Sequence, residues 1–150
     1  MFTRLLMLCA VLLCQAACSH LPMGQPDLLA LQKQASSAYA AGDYVTASAG
    51  FRSLASAMPQ DADVHYRLGN SLAKQQEIDA AISAYRQALQ LDPKHAKAWH
   101  NLIFLQLEGV SHSVAEMYKY IDHNDPLVAP IARKAEAVMD IFDVPQQSAP

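Results

Sequence analysis

The chain of 150 residues is long enough for one domain, and its 52% hydrophobic and 17% charged residues are those of an ordinary folded protein. Eleven Lys and Arg against 14 Asp and Glu give a net charge of −3. Nucleic-acid binding needs a basic patch, and the sequence contains no cluster of Lys and Arg. The composition therefore argues against a disordered chain and against a nucleic-acid partner.

The first seventeen residues have the layout of a secretory signal. Arg4 gives a short, positively charged N-terminal region, and an unbroken apolar run from Leu5 to Cys14 follows. A helix that spans a membrane needs about 20 residues, so this run is too short to do so. We interpret residues 1–17 as a signal peptide. Residues 18–26, with two prolines and a glycine, are interpreted as a flexible tether.

All three cysteines, Cys9, Cys14 and Cys18, lie in the first eighteen residues, so neither a disulfide nor a paired-cysteine metal site can form in the rest of the chain. The four residues Gln15 to Cys18 resemble the bacterial lipobox, although that motif usually has Leu, Val or Ile in place of Gln15. The resemblance implies that Cys18 carries acyl chains such as palmitate, which would anchor the protein to a membrane.

In Gram-negative lipoproteins of this kind, a non-acidic residue such as Ser19 after the cysteine implies sorting to the outer membrane. The resemblance thus implies a protein of the cell envelope, anchored by lipid and facing the periplasm. The alternative is a plain signal peptide that is cut nearby, with Cys18 removed or left as a free thiol.

The clearest repeat pattern occupies residues 62–95. Large apolar residues recur there at helical spacing, and small residues between them would let two antiparallel helices approach closely. Glycine within a helix costs about 1 kcal/mol relative to alanine, so we expect Gly69 at a close contact. The segment resembles the tetratricopeptide repeat (TPR), a helix–turn–helix unit of about 34 residues. The resemblance rests on Leu68, Gly69, Leu72, Ala81, Tyr85, Ala88 and the closing Pro93.

One helical pair cannot bury its own apolar face, so neighbouring repeats are expected on both sides. Residues 28–61 carry matching positions and a turn in which Gly42 can end one helix and Asp43 can cap the next. Residues 96–126 match in their first helix, where Trp99 takes a packing position in the core, and are degenerate in the second. The predicted helices are 27–41, 44–58, 61–75, 78–91, 95–108 and 111–122.

The end of the stack carries three further signals. Gly109 can end the fifth helix, and Ser113 to Glu116 fit a capping box for the sixth. Residues 127–142 predict a capping helix that covers the open end of the stack, before a polar tail at 144–150. The apolar face of that helix consists of Leu127, Ile131, Ala135, Val138, Met139 and Phe142.

We therefore predict an all-α fold over residues 27–143: a TPR-like helical solenoid of about three helix–turn–helix repeats plus a C-terminal capping helix. In proteins that this one resembles, the first helix of each repeat lines a concave groove. Asn70, Lys97 and Asn101 fall where peptide-binding members hold a peptide backbone or its terminal carboxylate, although the full five-residue clamp is absent. The predicted partner-binding residues are Asp63, Tyr66, Arg67, Asn70, Lys74, Lys97, His100, Asn101 and Phe104.

The exposed aromatics among these residues, with an arginine nearby, have the composition of a binding hot spot. The alternative is a solvated polar helix face, which is the default for exposed helix residues. No catalytic, metal or cofactor site is predicted, because no His-Glu-x-x-His motif or His pair at i, i+4 occurs. Asp122 to Asp125 is more typical of a polar turn than of a metal loop.

The functional hypothesis is an envelope-anchored scaffold, not an enzyme, that binds a protein or peptide partner and assists assembly or localisation of a pilus or secretion complex. The layout resembles the small TPR lipoproteins of Tad/Flp and other type IV pilus or secretion systems, and fold alone does not fix function. The alternatives are an adaptor for cell-wall enzymes and a structural homodimer. The alternative from another class is a His-based metal-binding protein or enzyme built on His112, His123 and Asp125.

Overall fold

The computed structural model describes residues 27–140, so the predicted signal peptide, lipidation site, tether and tail lie outside the described residues. Six helices and no strand occur in this range. None of these helices combines the length and the apolar character that crossing a membrane requires. The helices are α1 (Leu28–Ala40), α2 (Tyr44–Ala57), α3 (Ala62–Lys74), α4 (Ile78–Leu91), α5 (Ala96–Tyr120) and α6 (Val128–Asp140).

The helices stack in chain order. Each helix packs mainly against the next one along the chain, from α1 against α2 to α5 against α6. This is the arrangement in which antiparallel pairs bury their apolar faces against neighbouring pairs. The predicted fold class, an all-α helical solenoid, is confirmed.

Aspartates begin the first three helices. Asp27 Oδ1 accepts the N–H groups of Leu29 and Ala30, each at 3.1 Å, and Asp61 Oδ1 accepts from Asp63 and Val64. Asp43 Oδ1 accepts from Thr46 N at 3.0 Å. These bonds satisfy N–H groups that have no partner within the first turn of a helix.

The turns between paired helices need a left-handed residue. Gly42 has φ +81° between α1 and α2, which confirms the predicted turn, in which Asp43 caps the second helix. The corresponding turn between α3 and α4 places Gln76 at φ 63°. A side chain in this region is sterically strained, so Gln76 holds a conformation that glycine adopts without cost.

Two clusters of buried residues form the core. One joins α1, α2 and α3 through Ala35, Ala47, Phe51, Leu54 and Val64. The other joins α3, α4 and α5, and Tyr85 is its largest member at 1% exposed. A Cβ on Gly69 would lie 2.6 Å from Tyr85 Cε1, so the predicted close contact at Gly69 is confirmed.

The predicted break at Gly109 is wrong, because α5 runs without interruption for 25 residues from Ala96 to Tyr120. A single glycine costs a helix only about 1 kcal/mol, and no proline lies between Pro93 and Pro126 to stop it. Ser113 does not cap a new helix: its hydroxyl donates to the carbonyl oxygen of Gly109, one turn earlier. The third segment is therefore one long helix rather than a helix pair.

Two other expectations at this end of the fold are also corrected. Trp99 is 46% exposed, and its indole N–H donates to the carbonyl oxygen of Pro93 at 2.9 Å, so it covers the start of α5 and does not enter the core. The capping helix exists as α6, but Leu127, Ile131 and Val138 of its predicted apolar face are exposed, and Phe142 lies outside the described residues. The buried side of α6 is formed by Val128, Ala132 and Ala135.

Candidate functional site

All nine predicted partner-binding residues line two adjoining cavities on the face formed by α1, α3 and α5. The first cavity, about 550 Å³, is lined by Asp63, Tyr66, Arg67, Asn70 and Lys97 among the predicted residues. The second, about 420 Å³, is lined by Asn70, Lys74, His100, Asn101 and Phe104 among them. Asn70 lines both, so the two cavities form one continuous surface, which we call the interaction groove.

The structure adds residues to the groove that the sequence analysis missed. Ser36 and Tyr39 of α1 and His95 before α5 line the first cavity, and Tyr39 also lines the second. The His95 ring centroid lies 4.7 Å from that of Tyr66, and His95 Nδ1 accepts the N–H of Ala98 at the start of α5. An aromatic residue in the small, polar stretch before Gly42 was the signal that could have identified Tyr39.

A hydrogen-bond network joins three helices at the floor of the groove. The Tyr85 hydroxyl of α4 donates to Asn70 Oδ1 of α3 at 2.8 Å, and Asn101 Nδ2 of α5 donates to the same oxygen at 2.8 Å. Burial raises the pKa of Tyr85 to about 12, and the hydrogen bond with Asn101 acts in the opposite direction. Hydrogen bonds between side chains of different helices favour one arrangement of those helices, so the network helps to hold α3, α4 and α5 in register.

The network also determines which amide groups remain free to bind a ligand. Asn70 Oδ1 is occupied by two donors, whereas Asn70 Nδ2 donates to no other residue within 27–140. Asn101 Nδ2 is committed to the network, and Asn101 Oδ1 lies 3.1 Å from His100 Nδ1. Asn70 therefore offers a fixed N–H donor at the boundary between the two cavities.

The charges of the groove differ in sign from those of the whole chain. Arg67 pairs with Asp63 one turn earlier on α3 at 2.6 Å, and such an exposed pair adds little to stability. Lys97 in the first cavity and Lys74 in the second form no ion pair with another residue of the described range. The lining of the two cavities includes three positive side chains, Arg67, Lys74 and Lys97, and two negative ones, Asp63 and Glu108. The whole chain, by contrast, has a net charge of −3. The groove is therefore better suited to an acidic partner than to a basic one.

His123 and Asp125, on which the metal-binding or enzyme alternative depends, make contacts with neighbouring residues. His123 stacks on Tyr118 with ring centroids 5.0 Å apart, and Asp125 Oδ1 accepts the N–H of Leu127. Asp122 Oδ1 accepts the N–H of Asn124, as expected of a polar turn. Within residues 27–140, no group of three His, Cys, Asp or Glu side chains could hold a metal ion, and His112 lies exposed on α5.

Residues 62–95 match the family model of the tetratricopeptide repeat. This match coincides with α3 and α4, which supply the Tyr85 and Asn70 side chains of the network. The curated relatives include the protein O-mannosyl-transferase TMTC1 of human and of mouse, each 46% identical over 52 residues. That match covers 35% of this chain and only 6% of either relative, so the activity in their name belongs to those proteins.

Solved structures share the TPR fold over most of the chain. MamA from Desulfovibrio magneticus aligns with a TM-score of 0.55 at 19% identity, over 79% of this chain and 59% of that one. The TPR2B domain of yeast Sti1, in complex with pHsp70, aligns with a TM-score of 0.52 at 16% identity. The alignment covers 74% of this chain and 97% of that domain. The first TPR domain of Spaghetti (RPAP3), bound to the HSP90 peptide SRMEEVD, aligns with a TM-score of 0.53 at 14% identity. The alignment covers 75% of this chain and 95% of that domain. These likenesses, all at 19% identity or lower, show that the fold is shared.

Proposed function

We propose that the interaction groove binds an extended, acidic segment of a protein partner. The observation that carries this proposal is the free N–H donor of Asn70, held between two cavities that each contain one lysine without an ion-pair partner in the described range. The solved structures bound to an HSP90 peptide and to pHsp70 support a peptide as the kind of ligand that this fold accepts.

The chemistry of the groove assigns a role to each group. Asn70 Nδ2 donates to a carbonyl oxygen of the peptide backbone, which fixes the peptide at the boundary between the cavities. Lys97 and Lys74 attract acidic side chains on either side of that point, and Tyr66 and Phe104 offer aromatic faces to apolar side chains. Phe104 is 61% exposed, which suits a residue that becomes buried when a partner binds.

The cellular part of the proposal rests on the sequence before residue 27. The lipobox-like sequence at Gln15 to Cys18 supports a protein anchored by lipid in the outer membrane, with its groove in the periplasm. We propose that it assists assembly or localisation of a pilus or secretion complex, as the small TPR lipoproteins that it resembles do. An adaptor for cell-wall enzymes would use the same groove and the same anchor. Cys18→Ser should release the protein from membranes, and unchanged retention would contradict the anchor.

The groove is tested by reversing its two lysine charges. Lys74→Glu with Lys97→Glu should reduce recovery of crosslinked partner from envelope fractions at least tenfold, because both changes repel an acidic segment. Lys33→Glu with Arg86→Glu makes the same change in net charge at exposed positions outside the groove. Helicity and thermal unfolding should stay the same in both double variants. Equal partner recovery with the two variants would show that the groove is not the binding surface.

A further inference from the structure

The turn that joins α5 to α6 carries acidic and exposed apolar side chains together. It occupies residues 120–127, which contain Asp122 and Asp125 but no lysine or arginine. Tyr120 and Leu127 at its two ends are 82% and 69% exposed. Exposed apolar side chains that are grouped and bordered by polar ones mark sites of protein interaction. We call this surface the α5–α6 corner.

Both aspartates of the corner keep an oxygen for a partner. Asp122 Oδ1 accepts the N–H of Asn124, and Asp125 Oδ1 accepts the N–H of Leu127, each at 2.9 Å. Within residues 27–140, no group donates to either Oδ2 atom, and no Lys or Arg pairs with either carboxylate. An ionised carboxylate accepts hydrogen bonds through both of its oxygens. The corner therefore presents two negative charges that a cationic surface can bind.

The length of α5 separates the corner from the groove of its own chain. Glu108 is the last residue of α5 that lines the interaction groove. Tyr120 follows Glu108 by 12 positions of uninterrupted helix, which span about 18 Å. A continuous helix curves only gently and does not fold back on itself. The corner can therefore reach an interaction groove only on another copy of the chain.

We propose that the interaction groove of one copy binds the α5–α6 corner of a second copy. The inference rests on the proposed function, because it uses the same groove as a site for acidic groups. Lys74 and Lys97 of the groove attract the two aspartates, and the aromatic faces of the groove cover the exposed Tyr120. The corner is folded by turns, since Asp125 N–H donates to the carbonyl oxygen of Asp122 at 2.9 Å. It therefore binds through its side chains and does not need the N–H donor that an extended segment would use.

The contact joins two different surfaces, so it does not close when two copies meet. A pair of copies still has one free groove and one free corner, and each of these can accept a further copy. Heterologous contacts of this kind form rings or open filaments. Because the main attraction is between charges near the surface, the association should weaken as the salt concentration rises.

The test measures the average mass of the full chain by sedimentation velocity, in a parent that carries Cys18→Ser so that acyl chains do not drive association. The mass should rise at least about twofold with protein concentration. Lys74→Glu with Lys97→Glu should keep the chain monomeric, because the groove then repels the corner. Lys33→Glu with Arg86→Glu, the control pair at exposed positions outside the groove, should associate like the parent.

The corner is tested in the same way. Asp122→Lys with Asp125→Lys should also keep the chain monomeric. Glu136→Lys with Asp140→Lys makes the same change in net charge at exposed positions of α6, and it should associate like the parent. Tyr120→Ala leaves the backbone bonds of both aspartates in place, and it should weaken association about tenfold. A variant of the corner that keeps its helicity and associates like the parent would overturn the proposal.

Mixing the lysine variant with the aspartate variant shows whether a groove meets a corner. The lysine variant keeps an intact corner and the aspartate variant keeps an intact groove, so the mixture should associate although neither variant does so alone. A mixture that stays monomeric would contradict a contact between groove and corner. A parent chain that stays monomeric at every concentration would overturn the self-association but not the proposed function. Recovery of another protein from envelope fractions does not need self-association, so that experiment still decides the proposed function.

Discussion

Gly69→Ala tests whether the close packing of α3 on α4 controls stability. Gly69 lies inside α3, and a Cβ at this position would lie 2.6 Å from Cε1 and 2.7 Å from Cδ1 of Tyr85. Carbon atoms in favourable contact are about 3.5–4.0 Å apart, so the ring or the helix must move by about 1 Å. The ring has little freedom to do so, since Tyr85 is 1% exposed and its hydroxyl is bonded to Asn70.

Two opposing terms set the size of the effect. Alanine is favoured over glycine in a helix by about 1 kcal/mol, which would stabilise the variant. Overpacking a close-packed site costs about 1–3 kcal/mol, and the upper end applies here because the ring is held at both ends. The expected net effect is a loss of about 2 kcal/mol in the free energy of unfolding. In a domain of this size that lowers Tm by about 8 °C.

Gly109→Ala is the matched control, because Gly109 also lies inside a helix and a Cβ there meets no atom of the described residues within 4 Å. This variant should gain about 1 kcal/mol and raise Tm by about 4 °C. The free energy of unfolding and Tm of both variants are to be measured by urea and thermal unfolding, followed by circular dichroism at 222 nm. If Gly69→Ala unfolds at or above the temperature of the parent chain, the close contact does not determine stability and the reasoning is refuted.

Three further predictions concern caps, turns and pH. Asp61→Ala should lower the free energy of unfolding by about 1 kcal/mol, because it removes the side chain that caps α3. Glu77→Ala is the control, since Glu77 precedes α4 without a side-chain cap bond, and it should change urea unfolding little. Gln76→Gly should raise Tm, because it relieves the strain of a positive φ, and an unchanged or lower Tm would contradict this. The pKa of Tyr85 rises from 10.0 to about 12 on folding, so its contribution to stability is complete below pH 10 and is lost towards pH 12. Tyr85→Phe should therefore lose less stability than the parent chain between pH 10 and pH 12, as measured by urea unfolding.

The sequence was informative where one residue decides the local structure. Gly42 and Asp43 form the predicted turn and cap because few other residues satisfy a left-handed backbone or an unpaired N–H group. The close contact at Gly69 followed from the cost of glycine in a helix. The nine groove residues could be placed on one face because the period of the helix fixes which side chains point the same way.

The sequence was misleading where several outcomes cost nearly the same. Gly109 weakens a helix by only about 1 kcal/mol, so the continuing hydrogen bonds of α5 decide whether it breaks there. Trp99 occupies a position that is often buried, but its indole N–H reaches a surface carbonyl. The network of Asn70, Tyr85 and Asn101 could not be found from the sequence, because it joins residues up to 31 positions apart.

The packing of each helix mainly on its neighbour in the chain has a consequence for how the protein folds. Nearly all contacts between elements join residues that are close in sequence, so few long loops have to close before apolar area is buried. Topologies of this kind fold within microseconds to milliseconds. The chain can therefore add one helix after another to a growing stack, in the order in which a ribosome delivers them.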